Sequence, residues 1–279
     1  MSTAAPAVGF IGLGDMGGAI ARRIVEGGFS TTLWARRSAS LDAFRDTAAR
    51  FADSPAALAT TSDIVGLCVF GDADVYELAL GGNGLIASMR PGSILLIHST
   101  ISVATTLDIA NAASHRGIAV LDAPVSGARI RATSGRLSIM AGGEKAAFDR
   151  VLPLMRCYGE SILHLGASGS GQKMKLLNNV LGFANLRMAH LALELADRLG
   201  LENTAARQVL RSGSAASFNL DILLDRLLPD AVFARHAVTM TEKDTRLFQG
   251  VCRLAGIEPT LMDRLAEEAI QVVDQLGRR

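Results

Sequence analysis

Cysteine is scarce: Cys68, Cys157 and Cys252 are the only three, far apart, with no CxxC pair. Neither a disulfide framework nor a thiolate metal site is indicated, and reduced thiols in a cytoplasmic protein are expected. The five histidines are equally scattered, so no metal is expected. An excess of one charge sign is also lacking. The 28 Lys and Arg against 27 Asp and Glu leave a formal +1, with no basic run or aromatic-rich basic stripe. Nucleic acid and acidic membrane surfaces are therefore not expected as partners. No apolar run reaches the length of a membrane span. The N-terminus lacks the basic start of a signal peptide. Internal repeats, low-complexity segments, a GxSxG elbow, a Walker A loop and HExxH are all missing.

What is present is an ordinary globular composition, 49% hydrophobic and 20% charged, over 279 residues, a length that favours two domains. The first part alternates short apolar runs with helical patterns. Ala7–Ile11, Thr31–Ala35, Ile64–Val69, Ser93–His98, Ile118–Leu121, Leu137–Ala141 and Ser161–Leu165 read as strands. Helical patterns such as Val103–Arg116 and Glu144–Tyr158 lie between most of them. Such alternation predicts a mostly parallel sheet covered on both faces. After the Gly-rich segment 166–171 no strand is evident. Gln172 to about Leu199, Asn203–Arg211, Ser217–Leu228, Val238–Ala255 and Thr260–Leu276 read as helices. The expected domains are residues 1–165, of α/β doubly wound type, and 166–279, all-helical and opening with a long helix.

Five segments carry candidate chemistry. Gly12-Leu13-Gly14-Asp15-Met16-Gly17 follows a strand and opens a helix, the context in which GxGxxG turns the chain tightly and presents a helix N-terminus to a pyrophosphate. The plain alternative is a tight turn without a ligand. The next strand ends in Arg36 and Arg37, with no acid to hold a ribose 2′-hydroxyl. Arginines there suit a 2′-phosphate, so NADP(H) is preferred and NAD(H) possible, unless the pair is merely solvated. Lys175, Asn178 and Asn179 are spaced three and four apart on the long helix, so both asparagines can share the lysine's face. This is either an acid/base group with its orienting amides or a structural polar cluster. Asp122-Ala123-Pro124-Val125-Ser126-Gly127 follows a strand, as does His98-Ser99-Thr100. Each can offer a hydroxyl and backbone N–H groups to a carboxylate, or can be an ordinary turn.

Taken together in chain order, these segments resemble the β-hydroxyacid dehydrogenase family, the 3-hydroxyisobutyrate dehydrogenase-like enzymes, from Val8 to about the last helix. The most specific matches are Asp122–Gly127 and the Gly171-x-x-x-Lys175-x-x-Asn178-Asn179 segment. The resemblance implies a Rossmann-like N-terminal domain and an all-α C-terminal domain that builds a homodimer or homotetramer. It implies Lys175 as the catalytic lysine, supported by Asn179 and Asn178. Ser126 and Gly127 would hold the substrate carboxylate, with Thr100 beside them. Val69, Phe70 and Thr100 would line the nicotinamide, and Lys243 would close over the cofactor. The implied substrate is a small hydroxy acid or aldehyde acid. A lysine at its reference pKa of about 10.4 is a poor base near neutrality, so burial or a neighbouring cation would assist it. Where relatives often continue Ser-Gly-Gly with small residues, this chain has Ala128, Arg129, Ile130 and Arg131. Two other readings stand beside this one. An imine reductase of related architecture would tend to replace the lysine, and a non-catalytic NADP-binding interaction module would be expected to have lost it.

Overall fold

The computed structural model describes residues 5–82 and 84–279. Two compact units divide between Lys175 and Leu176.

The first unit begins with β1 (Val8–Ile11), α1 (Asp15–Glu26), β2 (Thr31–Trp34), a 3₁₀ segment (Ser38–Phe44), β3 (Arg50–Phe51), α2 (Pro55–Thr60) and β4 (Ile64–Leu67). It continues through α3 (Asp72–Leu80), α4 (Leu85–Ser88), β5 (Ile94–Ile97), α5 (Val103–Ser114) and β6 (Ala119–Asp122). Next come β7 (Val125–Ser126), α6 (Ala128–Thr133), β8 (Leu137–Gly143), α7 (Lys145–Met155) and β9 (Gly159–His164). The strand order is β3-β2-β1-β4-β5-β6-β8-β7, with β9 beside β8. Strands β3 through β6 run parallel; β8 is antiparallel to β6 and β7 and parallel to β9. Every residue of β1, β4 and β5 is buried. Short wholly apolar runs are what a sheet covered on both faces requires. One cluster packs Ile20, Ile24, Phe148 and Val151 from α1 and α7 against the sheet, and a second packs Leu58, Val75, Leu85 and Ile109 from α2 to α5. This is the doubly wound, Rossmann-like arrangement expected from the alternation, with its topological switch between β1 and β4.

Register decides where the chemistry lies. Ile11 is level with Trp34 and Leu67, Leu67 with Ile97, and Ile97 with Asp122. The carboxyl ends of five strands are thus aligned, and the segments that follow them leave from one edge of one sheet.

The helix α8 (Ser170–Arg198) starts in the first unit and continues into the second. The second unit adds α9 (Asn203–Ser212), α10 (Phe218–Ile222), a π-helical turn (Leu223–Leu227), α11 (Ala231–Leu254) and α12 (Leu261–Gly277). No strand follows β9 among the described residues. Its core joins Leu186, Leu193, Leu223, Val273 and Leu276, with Leu176, Val180 and Phe248 in a second cluster. One boundary differs from the periodicity reading. The expected Ser217–Leu228 helix is present, α10 continuing without interruption into the π-helical residues Leu223–Leu227. The helix expected from Val238 begins seven residues earlier, at Ala231, because the Asp230 side chain accepts the Phe233 N–H and caps it there. None of the described helices is long and apolar enough to cross a membrane, and the three cysteines are free.

Candidate active site

The Gly12–Gly17 turn requires glycine at two of its positions and leaves a third open. Gly12 has φ +95°, and a Cβ there would lie 2.1 Å from the Cys68 carbonyl oxygen. A Cβ on Gly17 would lie 1.8 Å from the Gly12 carbonyl oxygen, so both positions need glycine for α1 to approach the sheet. At Gly14 a Cβ would meet nothing within 4 Å. Gly14 is the N-cap of α1 and brings no side-chain cap to its first N–H groups. An open approach to an uncapped helix N-terminus fits a dinucleotide pyrophosphate. Leu13 and Met16 pack against the core, whereas Asp15 is exposed.

At the end of β2, Arg36 and Arg37 are both exposed. Arg36 is held by two carboxylates of α3, 3.2 Å from Asp74 Oδ1 and 3.3 Å from Glu77 Oε2. This pairing across about forty residues was not visible in the sequence. Beyond β4, the Val69 N–H donates to Ser99 Oγ at 2.8 Å, and Phe70 is 55% exposed. Burial pushes the nearby Cys68 thiol up to about 12, which removes it as a nucleophile near neutral pH.

Beyond β5, His98 is a satisfied core residue. Its Nδ1–H donates to the Ala123 carbonyl oxygen at 2.7 Å, and its Nε2 accepts from the Tyr158 hydroxyl at 3.2 Å. Phe10 stacks on the ring. Burial lowers the His98 pKa to about 4 and raises that of Tyr158, so neither group is charged near neutrality. His98 therefore ties β5 to its neighbours and leaves Ser99 and Thr100 at the strand exit.

At the end of β6, Asp122 is fully buried. Its Oδ1 accepts from Gly169 N–H at 2.8 Å and its Oδ2 from Gln172 N–H at 2.9 Å. Burial raises its pKa, and the N–H groups of Gly169, Gln172 and Gly171 oppose that rise. A carboxylate there satisfies the otherwise orphaned donors that open α8 and complements the helix dipole. Ser126 ends β7, level with Ser138 of β8. Gly127 has φ +133° and Ala128, a residue with a Cβ, has φ +54°. Arg131 folds its aliphatic stem back over Gly127. Arg129 lies 3.6 Å from Asp15, and α6 packs on α1. The Ser126 turn is thus a neighbour of the Gly-rich turn.

Lys175 is 9% exposed and lies in the second turn of α8. Asn178 and Asn179 come three and four residues later on the same helix. Within the second unit, Asn178 Nδ2 donates to Asn179 Oδ1 at 3.2 Å, and Asn179 Nδ2 donates to Asp244 Oδ2 at 2.6 Å. Lys243 Nζ lies 3.1 Å from Asp244 Oδ1. Asp244 is buried and holds the Asn179 amide, a role that its place in the Glu242-Lys243-Asp244 segment did not reveal. No group of three or more metal-ligating side chains exists among the described residues.

The chain is similar to known proteins over nearly its whole length. Residues 7–166 match the NAD binding domain of 6-phosphogluconate dehydrogenase, and residues 169–279 match the NAD-binding domain of NADP-dependent 3-hydroxyisobutyrate dehydrogenase. An uncharacterised oxidoreductase of Synechocystis is 32% identical over 97% of this chain and 93% of its own. A probable mitochondrial 3-hydroxyisobutyrate dehydrogenase of Dictyostelium discoideum is 32% identical over 77% of this chain and 67% of its own. The crystal structure of a 3-hydroxyisobutyrate dehydrogenase from Salmonella typhimurium superposes with a TM-score of 0.81 at 25% identity, covering 96% of this chain and 93% of that one.

Proposed function

The chain belongs to the 3-hydroxyisobutyrate dehydrogenase-like family of NAD(P)-dependent oxidoreductases acting on CH–OH groups, and we propose that it interconverts a small β-hydroxy acid and its carbonyl form with Lys175 as general acid/base. The observation that carries this reading is a lysine buried at the start of α8, in the same unit as the Gly-rich turn and the Ser126–Gly127 turn. When bound, the nicotinamide ring accepts or supplies the hydride. In oxidation, Lys175 Nζ takes the proton of the substrate hydroxyl. In reduction it returns that proton to the forming alkoxide. In this reading Asn178 and Asn179, three and four residues further along the same helix, would orient the amine; Asp244 fixes the Asn179 amide. The Ser126 hydroxyl and the Gly127 N–H hold the substrate carboxylate.

Gly12–Gly17 would hold the pyrophosphate, with Val69, Phe70 and Thr100 on the nicotinamide side. NADP(H) is the preferred cofactor in this reading, and NAD(H) remains usable. Support comes from the β2 exit, which carries Arg36 and Arg37 and no acid of its own. A homodimer or homotetramer belongs to the same reading. Leu177, Leu181, Met188 and Leu195 of α8 are 43–50% exposed. Their spacing of four, seven and seven residues makes one stripe along a helix, and a second copy of the chain would cover it. A cytoplasmic setting accords with three reduced cysteines.

The test is nicotinamide absorbance with purified protein and a panel of small 3-hydroxy acids, aldehyde acids and cyclic imines. Turnover of a 3-hydroxy acid such as 3-hydroxyisobutyrate or 2-(hydroxymethyl)glutarate is expected. Turnover confined to cyclic imines, or cofactor binding without turnover of any panel member, would overturn the proposal.

A further inference from the structure

Gln172 is fully buried, and it spends its polar groups on two strand exits. Its backbone N–H donates to Asp122 Oδ2 at the end of β6, 2.9 Å away. Its side-chain Nε2 donates to the Ser99 carbonyl oxygen at 2.9 Å, and its Oε1 accepts from the Ile101 N–H at 3.2 Å. One side-chain amide thus brackets Thr100 by bonding the backbone on either side of it. Ser99 extends the connection, because its Oγ accepts the Val69 N–H beyond β4. Asp122 extends it the other way, through the Gly169 N–H just before α8.

The outcome is a chain of hydrogen bonds, buried except for its part-buried first link, from the exit of β4, through those of β5 and β6, into the first turn of α8. Lys175 follows Gln172 by three residues, less than one helical turn and about 4.5 Å along the axis. Between the clamp and the ammonium group there is only one short piece of rigid helix and the lysine side chain. Packing alone would be served by an apolar residue of the same size, and the net gain from buried hydrogen bonds is modest because unfolding exchanges them for bonds to water. The arrangement is better matched to geometry than to stability. We propose that Gln172 is a positioning residue, which sets Lys175 against Thr100 and Val69 and so aligns the proton-transferring amine with the nicotinamide side of the site. This inference rests on the reading of Lys175 as the acid/base.

The experiment uses Gln172→Met, close in size but unable to make the paired amide bonds, and Gln172→Glu, which keeps the shape but, ionised, donates nothing to Ser99. Both are made in the wild-type and in the Lys175→Ala background. The readouts are kcat and KM for 3-hydroxyisobutyrate or the best 3-hydroxy acid of the panel, the NADPH Kd from fluorescence, and hydrogen exchange of the Ile101 amide. In the wild-type background kcat is expected to fall on the order of 10–10²-fold, with KM and NADPH Kd held within about threefold, because small misplacements of a reacting group have costs of that size. The Ile101 amide is expected to exchange faster in both variants. In the Lys175→Ala background the same substitutions are expected to cost less than about threefold, since no amine remains to be misplaced. An unchanged kcat, or an equal loss in both backgrounds, would overturn the inference. So would loss of fold and NADPH binding in both variants, which would assign Gln172 to stability alone. Normal turnover by Lys175→Ala itself would remove the premise and with it the inference, whereas slow turnover there with normal turnover in the Gln172 variants would remove only the inference.

Discussion

Replacing His98 by glutamine is expected to flatten the acid side of the stability profile. His98 is 3% exposed and makes both of its hydrogen bonds as the neutral ring. Burial lowers its pKa from 6.5 to about 4. Between those values the unfolded chain binds a proton that the folded chain refuses. The stability contributed by the neutral ring is therefore complete above the unfolded value and is lost as pH falls toward the folded one. At about 1.4 kcal/mol per pH unit, the gap amounts to roughly 3 kcal/mol. For a chain of this size that is on the order of 6–12 °C in Tm. Glutamine has no proton to gain in this range. His98→Gln is expected to cost about 1–2 kcal/mol at neutral pH through imperfect replacement of the bonds to Ala123 and Tyr158. The difference from wild type is then expected to shrink or reverse with acidification. The assay is thermal denaturation of both proteins from about pH 7.5 to about pH 4.5, a window that brackets most of the titration. Carboxylates that titrate there act on both proteins and cancel in the difference. Parallel Tm profiles would overturn this expectation, because they would mean that His98 is protonated equally in the folded and unfolded chains.

Three further outcomes follow from the site. Ser126→Ala is expected to raise the substrate KM by roughly tenfold to a hundredfold with the NADPH Kd unchanged, the size of a lost hydrogen bond to a carboxylate; steady-state kinetics with cofactor titration checks it. Arg36→Ala is expected to weaken NADP(H) binding by roughly tenfold to a hundredfold and leave NADH binding nearly unchanged. Its exposed ion pairs with Asp74 and Glu77 contribute at most about 1 kcal/mol, so Tm is expected to move little, and titration of both cofactors at fixed salt decides the matter. Ala128→Gly is expected to stabilise the fold. Relief of φ +54° returns roughly 1–2 kcal/mol, of which the freer unfolded chain takes back roughly 0.4–1 kcal/mol; a rise in Tm of up to a few degrees would be read by thermal denaturation.

Periodicity placed the long and doubly covered elements because burial on both faces demands continuous apolar runs such as Ile94–Ile97. It could not place β3 and β7, two residues each, which are too short to carry a period. The start of α11 had a local signal in Asp230, but the apolar pattern was read only from Val238, seven residues into the helix. The Gly-rich turn and the Lys175 segment were legible because their residues are close in sequence. The groups that hold them were not. Gln172 meets Ser99 and Ile101 across more than seventy residues, Arg36 meets Asp74 and Glu77 across about forty, and Asn179 meets Asp244 across 65. Such pairings are set by strand register and helix packing, which a single sequence does not display.

In the proposed reaction Lys175 moves the proton while the cofactor moves the hydride. The most direct test is the rate of hydride transfer by Lys175→Ala at saturating NADP(H) and substrate, with the NADP(H) Kd measured on the same preparation. A general acid/base typically contributes on the order of 10²–10⁴-fold, so a loss of that size with an unchanged Kd is predicted. A loss of less than a few-fold would contradict the account and take Lys175 out of the mechanism.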